Sequence, residues 1–165
     1  MVYDCIIIGG GIVGVSIAWQ LQQRFPQKRI LLLEKESQPA THQTGHNSGV
    51  IHAGVYYQPG SLKAKFCREG NEKTIKFCQK HNIPFERCGK ILVATNSKEY
   101  VWMQQLFEKA RKNRIEVEWM DQQQLKEQEP NITGLGAFLV RATGIIDYKR
   151  LTSKMTELFK EHGGD

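Results

Sequence analysis

The 165-residue sequence contains no apolar run approaching the ~18 residues that cross a bilayer. A transmembrane helix is therefore excluded. Its four cysteines, Cys5, Cys67, Cys78 and Cys88, form no Cys-x-x-Cys pair and have no histidines at metal-ligand spacing. This leaves no metal site and no disulfide framework to expect. Buried, reduced thiols are expected instead, with Cys67 and Cys78 on one helix face. No charged and apolar leader precedes the first strand-like run, so the expected compartment is a reducing cytosol. The sequence also lacks internal repeats, low-complexity segments and any basic run interleaved with aromatics. The net charge of +6 is spread over helix-like segments, as in Lys63, Lys65, Lys73, Lys76, Lys80, Lys109, Arg111, Lys112 and Arg114. Solvated helix faces are the expectation, with attraction of an anionic substrate or membrane face as the alternative. No motif supports nucleic-acid binding.

At 40% hydrophobic and 24% charged, the chain is ordinary globular material, and its glycines concentrate in the first 70 residues. The chain is organised around Asp4-Cys5-Ile6-Ile7-Ile8-Gly9-Gly10-Gly11-Ile12-Val13-Gly14. Ile6 to Ile8 are β-branched and bounded by glycine, the pattern of a buried parallel strand. From Ile12 the apolar residues Val13, Ile17, Ala18 and Leu21 recur at helical spacing. A second run, Ile30 to Leu33, ends on Glu34, 20 residues after Gly14. The unit is βαβ with Gly-x-Gly-x-x-Gly at its turn and an acid at the tip of its second strand. Gly9 serves the tight turn, Gly11 the approach of backbone to a pyrophosphate, and Gly14 close packing of helix on strand. Gly10, Ile12 and Val13 complete the phosphate loop, and the helix N-terminus favours the anion. Glu34 is placed to accept from ribose hydroxyls and would repel a 2′-phosphate. These residues imply an adenine dinucleotide and leave NAD and FAD open.

Beyond Pro39, the stretch Thr41 to Tyr57 has small, hydroxyl and imidazole side chains and no clear period, as a loop supporting something polar would. A helix is expected from Leu62 to about Asn82, with Leu62, Phe66, Gly70, Thr74, Phe77 and Cys78 as its buried stripe. Residues 89–95 read as a strand and Ser97 as the cap of a helix ending near Asn113. Glu116 to Trp119 reads as a strand, Asp121-x-x-Gln124 as a capping box, and Gly134 to Val140 as another strand. Gly144 to Asp147 is expected to turn the chain. Asp147 caps a last helix running to about His162, and Gly163-Gly164 stops it. The expected fold class is α/β: a Rossmann-like FAD/NAD(P)-binding βαβ domain with an inserted, partial α+β substrate domain. The expected division is residues 1–87 for the nucleotide domain, 88–142 for the insertion and 143–165 for a helix returning to the first. Only two parallel strands, at 3–8 and 30–34, are convincing, so the chain reads as the N-terminal part of a larger protein.

The segment Thr44-Gly45-His46-Asn47-Ser48-Gly49-Val50-Ile51-His52-Ala53-Gly54-Val55-Tyr56-Tyr57, with Pro59 to Ala64 after it, resembles the L-2-hydroxyglutarate dehydrogenase/oxidase family. Cys88-Gly89-Lys90, Glu129 to Gly136 and Thr143 to Tyr148 extend the resemblance along essentially the whole chain. Asp147 departs from it, since bacterial relatives more often carry a small hydroxyl residue there, but either residue caps a helix. The resemblance places the chain among FAD-dependent oxidoreductases related to D-amino-acid and glycerol-3-phosphate oxidases. It implies FAD as cofactor, oxidation of L-2-hydroxyglutarate to 2-oxoglutarate, and electrons passed to quinone or oxygen. It also implies that less than half of the protein is present and that this part alone is inactive. A peripheral contact with the inner face of the cell membrane, through a quinone acceptor, and the oligomeric state are left open.

Oxidising a 2-hydroxy acid requires a base for the hydroxyl proton, and an imidazole, with an unperturbed pKa near 6.5, suits cellular pH. His52 is the first candidate and His46 the second; hydrogen bonding to backbone or flavin is the competing role for both. Thr44, Asn47 and Ser48 are candidate cofactor contacts, Gly49 and Gly54 allow close backbone approach, and Lys35 is exposed or flanks the adenine. Tyr56 and Tyr57 either line the substrate pocket or belong to the core. A dicarboxylate needs cationic partners, yet no arginine lies between residues 44 and 60. Two other readings stay open. One is a related flavoenzyme acting on an amino acid or glycerol 3-phosphate; the other is a dinucleotide-binding remnant without catalysis.

Overall fold

The computed structural model describes residues 2–165. They form two compact units. One comprises the residues up to Gly49 with Cys78–Pro84 and Ile146–Asp165; the other comprises Val50–Phe77 and Phe85–Ile145. This differs from the division at 87 and 142 expected above. The stretch 50–77 joins the second unit because strand β3 (Val50–Ile51) pairs antiparallel with β8 (Gly144–Ile146), Val50 opposite Ile145.

In the first unit, β1 (Cys5–Ile8) and β2 (Ile30–Leu33) pair in parallel, Cys5 opposite Ile30 and Ile8 opposite Leu33. The crossover helix α1 (Ile12–Arg24) packs on the last helix, α5 (Tyr148–Glu161). Ala18, Ile30 and Phe159 form the buried core, with Cys5, Ile7 and Leu32 against it. The buried stripe of α1 is Val15, Ala18 and Gln22. Val13 and Ile17, which belong to the expected apolar face, are 69% and 45% exposed. Ile6, Ile8 and Leu33 are exposed on the strands, as alternate residues of a sheet covered on one face must be. Asp147 accepts from the N–H groups of Lys149 (2.8 Å) and Arg150 (3.3 Å), which caps α5. At the other end Gly163 is left-handed (φ 88°), and Gly164 N–H bonds back to the Phe159 carbonyl (3.0 Å), a Schellman stop. Asp165 then donates to Ile30 O (3.1 Å) and accepts from Leu32 N–H (2.7 Å) along β2.

The second unit has two three-stranded sheets. One has the order β3-β8-β4, with β4 at Phe85–Glu86. Gly144 to Ile146 is therefore strand and not the turn expected from its glycine; a Cβ at Gly144 would press on the Glu86 carbonyl, 2.6 Å away. The other sheet is antiparallel, with β7 (Gly136–Val140) between β5 (Ile91–Ala94) and β6 (Val117–Met120). All five residues of β7 are buried. Helix α3 (Ser97–Lys112) covers this sheet through Met103 and Ala110, and Phe107 meets Trp119 and Phe138 edge to face at 5.3 and 5.5 Å. The N-cap of α3 is Asn96, whose side chain accepts from Glu99 N–H at 3.0 Å; Ser97 is the first helical residue. The capping box at α4 (Gln122–Gln128) is complete, with both Asp121–Gln124 hydrogen bonds at 2.9 Å.

Helix α2 (Leu62–Lys80) buries a different stripe from the expected one. Leu62 and Phe66 are 67% and 61% exposed, whereas Asn71 and Cys78 are buried. Cys78 and Cys67 fit the buried-thiol expectation in part, since Cys67 is half-buried, but Cys88 is exposed; all four cysteines are free. Asn71 Nδ2 donates to the carbonyls of His52 (3.2 Å) and Ala142 (2.9 Å), tying the 52–57 stretch to the strand region. Asn113 Nδ2 donates to the Tyr57 carbonyl (2.8 Å) at the other end. Removing Asn71 strands two carbonyls in a mostly buried setting. Asn71→Ala is expected to cost about 1–3 kcal/mol, measured as a shift in the urea unfolding curve; an unshifted curve would count against this tether.

Candidate functional site

The first unit builds a cradle from its glycine turn. β1 ends at Gly9, whose φ of 106° only glycine adopts freely, and its N–H extends the ladder to Leu33 O at 2.7 Å. Gly14 is required by contact: a Cβ there would overlap the Gly9 carbonyl oxygen. Gly10 is required by Glu34, whose Oε2 would lie 2.9 Å from a Cβ. Helix α1 starts at Gly11 with no side-chain cap. The Ile12 N–H donates to Thr44 Oγ1 at 3.0 Å. Among the described residues no acceptor takes the N–H groups of Gly11 and Val13. Space over Gly9 is open, with no atom within 4 Å of a built Cβ.

Glu34 closes one side. Its Oε2 accepts from Gly10 N–H (2.6 Å) and its Oε1 from Glu36 N–H (3.0 Å). The N–H groups of Glu36 and Gly10, in that order, hold the carboxyl below the ordinary glutamate range, so it is an anion at neutral pH. Each oxygen keeps a lone pair for a further donor. Lys35 lies outside this arrangement: it is 74% exposed and reaches only Glu36, at 3.7 Å. Glu36 also accepts from His42 Nε2 at 2.8 Å, a contact that no sequence pattern flagged.

The loop 41–49 is folded by its own side chains. Asn47 Nδ2 donates to Gln43 O (3.1 Å) and Thr44 O (2.7 Å), and Asn47 Oδ1 accepts from Gly49 N–H (2.7 Å). Its amide is thus committed to the loop, a role different from the expected cofactor contact. Gly49 (φ 67°) is needed because a Cβ would lie 2.8 Å from Ile146 O. His46 Nδ1 faces the His42 carbonyl at 2.9 Å. A carbonyl only accepts, so Nδ1 carries the proton and Nε2 is left as the acceptor in the neutral ring. Ser48 is exposed. Ala40 was not singled out from sequence. It is left-handed (φ 62°) and buried, with its N–H on Gly10 O at 3.0 Å.

The second unit holds a separate cavity of about 150 Å³, lined by the 52–57 stretch with Lys90 and Thr143. Tyr56 and Tyr57 line it, and the His52 imidazole has no hydrogen-bond partner among the described residues. Gly54 is left-handed (φ 87°), and a Cβ there would crowd Cys67 Sγ at 3.1 Å. Burial raises the Cys67 thiol above its ordinary range, which keeps it protonated. Elsewhere in this unit Lys65, Arg68, Lys112 and Arg114, expected as dispersed charges, line one shallow groove. No cluster of metal-ligating side chains occurs among the described residues.

The model of the family described as FAD dependent oxidoreductase matches residues 4–165. The chain belongs to that family. Among curated relatives, it is 55% identical over 163 residues to L-2-hydroxyglutarate dehydrogenase of Escherichia coli (strain K12), covering 99% of this chain and 39% of the relative. It is 43% identical to the mitochondrial L-2-hydroxyglutarate dehydrogenase of Homo sapiens, covering 98% of this chain and 35% of the relative. The chain therefore spans about two-fifths of the length of these relatives. Among solved structures, L-alpha-glycerophosphate oxidase from Mycoplasma pneumoniae with FAD bound superposes with a TM-score of 0.88 at 22% identity, over 99% of this chain and 44% of that one. L-proline dehydrogenase from P. horikoshii gives 0.86 at 20% identity, over 99% and 43%. These likenesses show the expected α/β fold of FAD oxidoreductases.

The cradle suits the ADP half of FAD. Free N–H groups open the helix, no side chain fills the turn, and an ionised carboxylate stands at the tip of β2. Gly14→Ala is expected to push α1 off β1 and lower FAD affinity at least about 10-fold by flavin fluorescence titration. Gly70→Ala, on a helix where a Cβ meets nothing within 4 Å, serves as the control that leaves it unchanged. Glu34 also makes a pH prediction. Its folded-state pKa is depressed, so its contribution to stability is complete above the unfolded-state value of about 4.3. It fades as pH falls through the lower folded-state value. The urea-unfolding gap between wild type and Glu34→Gln should be level from neutral pH to the ordinary glutamate range and shrink below it.

Proposed function

We propose that the chain is the N-terminal portion of an FAD-dependent L-2-hydroxyglutarate dehydrogenase, an enzyme oxidising L-2-hydroxyglutarate to 2-oxoglutarate. The observation that carries this reading is the identity to L-2-hydroxyglutarate dehydrogenases along nearly the whole chain. Bound FAD supplies the two-electron acceptor for the alcohol carbon. The chain's own residues do the rest of what this part contributes. Gly9, Gly10, Gly11, Ile12, Val13 and Gly14 hold the pyrophosphate on backbone N–H groups at the start of α1. Thr44 accepts from Ile12 N–H and so keeps its own hydroxyl proton for a phosphate oxygen. Glu34 accepts from the ribose hydroxyls. Ser48, exposed beside them in sequence, is a further donor, and Asn47 and Gly49 shape the loop that carries it. Lys35 contributes charge at the rim.

His52 takes the hydroxyl proton. Its ring shares a cavity with two tyrosines and has no competing partner among the described residues, whereas His46 Nδ1 is committed to backbone. Electrons pass on to quinone or oxygen. A quinone acceptor brings peripheral contact with the inner face of the cell membrane, which the net charge of +6 supports; no helix among the described residues is long and apolar enough to cross it.

The test is an assay of the full-length enzyme for 2-oxoglutarate formation from L-2-hydroxyglutarate. Turnover of glycerol 3-phosphate or sarcosine in its place would sink the substrate assignment. The 165-residue chain alone is expected to bind FAD and to turn nothing over; a chain that stays colourless after FAD addition would leave only a remnant without flavin chemistry. His52→Gln is expected to lower kcat by about 10²–10⁴-fold with FAD affinity intact.

A further inference from the structure

Lys90 follows a left-handed glycine (Gly89, φ 76°) and precedes β5. Its backbone is pinned at both atoms: N–H to Val140 O at 3.2 Å and O to Val140 N–H at 2.8 Å. The side chain therefore leaves a rigid sheet position and enters the cavity that His52, Tyr56 and Tyr57 also line. A lysine side chain is flexible enough to reach bulk water from most surfaces, yet this one is half-buried. Burial alone drives its pKa down, with no carboxylate named among the causes. Among the described residues no Asp or Glu lies within ion-pair distance of Nζ. Its one specific neighbour is the Tyr56 ring, 5.0 Å from Nζ to centroid. A cation–π contact of this kind compensates only part of the desolvation of an ammonium.

The floor of the cavity is fixed as well. The carbonyl of His52 is held by Asn71 and that of Tyr57 by Asn113, and Ala53, Val55 and Thr143 are buried. At about 150 Å³ the space is roughly ten times what one water needs. A rigid, partly apolar cavity that holds an uncompensated cation beside an unpartnered imidazole is complementary to a small anion carrying a proton to lose.

We infer that Lys90 is the cationic anchor for a carboxylate of the substrate, seated in the cavity with His52. The inference rests on the proposed oxidation of a hydroxy acid, and it fills the place left by the lack of arginine between residues 44 and 60. Lys90 binds and orients; the proton goes to His52. Removing the anchor therefore acts on substrate affinity, while removing His52 acts on turnover.

Two measurements test it. In the 165-residue chain, the Lys90 side-chain NMR signal is followed during titration with glutarate, and with glutaramide as the uncharged control. A saturating shift with glutarate alone, absent from Lys90→Met, is expected; no shift, or equal shifts with both compounds, overturns the anchor. In the full-length enzyme, Lys90→Met is expected to raise KM for L-2-hydroxyglutarate about 10- to 100-fold with kcat within about threefold, and Lys90→Arg to restore most of the loss. An unchanged KM in Lys90→Met overturns the anchor and leaves the proposed activity standing. A glutarate-dependent shift in a protein that does not turn over L-2-hydroxyglutarate supports the anchor and overturns the activity instead.

Discussion

The carbonyl oxygen of Gly9 occupies the place that the first carbon of any side chain at residue 14 would need. Because residue 14 is glycine, α1 lies directly against the end of β1, and its N-terminus opens over the turn with uncapped N–H groups. Other features of the first unit depend on that approach. Gly10 is brought against β2, where its N–H meets Glu34 at 2.6 Å, and the Gly10 carbonyl takes the Ala40 N–H at 3.0 Å. The Ile12 N–H reaches Thr44 across 32 residues of sequence. One steric contact thus aligns the phosphate cradle, the acid at the strand tip and the start of the following loop.

The loop that follows illustrates how a polar sequence can be read for the wrong purpose. Its hydroxyl, amide and imidazole groups suggest ligand contacts, but several are used up in shaping the backbone. Asn47 spends both amide hydrogens and its carbonyl oxygen within residues 43–49. His46 is turned onto the His42 carbonyl, and Gly49 is dictated by the nearby Ile146 carbonyl. Asn and Asp close local turns by such side-chain to backbone bonds, so composition alone does not separate a scaffold amide from a binding amide. Thr44 serves both ends, because its oxygen accepts and its proton stays free.

Legibility followed the range of the interactions involved. Features set by neighbours in sequence were read well: the βαβ unit, the capping box at Asp121, the cap at Asp147 and the Gly163-Gly164 stop all depend on residues within one or two turns. Asn96, displaced by a residue from the expected cap at Ser97, shows the usual margin at helix ends. Long-range features were not visible. Gly144 to Ile146 reads as a turn until β3 and β4 supply partners on both sides. Asn71 reads as a polar interruption of α2 until the carbonyls of His52 and Ala142 give its amide a reason to be buried. The expected stripe through Leu62 and Phe66 failed for the same cause, since hydrophobic periodicity reports which residues are apolar and not which side of the helix the rest of the chain covers. Lys90 was legible only as part of a family resemblance; its burial follows from the pairing of its backbone with Val140, 50 residues away.

Glu34 and Lys90 put the same physics to opposite use. Glu34 is an anion already complemented, with N–H donors from Gly10 and Glu36 that lower its pKa and fix its geometry before any ligand arrives. A ligand there need only add neutral donors, as ribose hydroxyls do, and a second anion is repelled. Lys90 is a cation placed where burial lowers its pKa and no described carboxylate restores it. A ligand there gains most by bringing the missing charge, because an opposite charge within a few ångströms favours the ionised form that burial disfavours. The first arrangement selects a nucleotide by shape and hydrogen bonding. The second selects by charge, and it discriminates an acid from its amide more sharply than one acid from another, since loss of the charge would leave a half-buried ammonium without a partner.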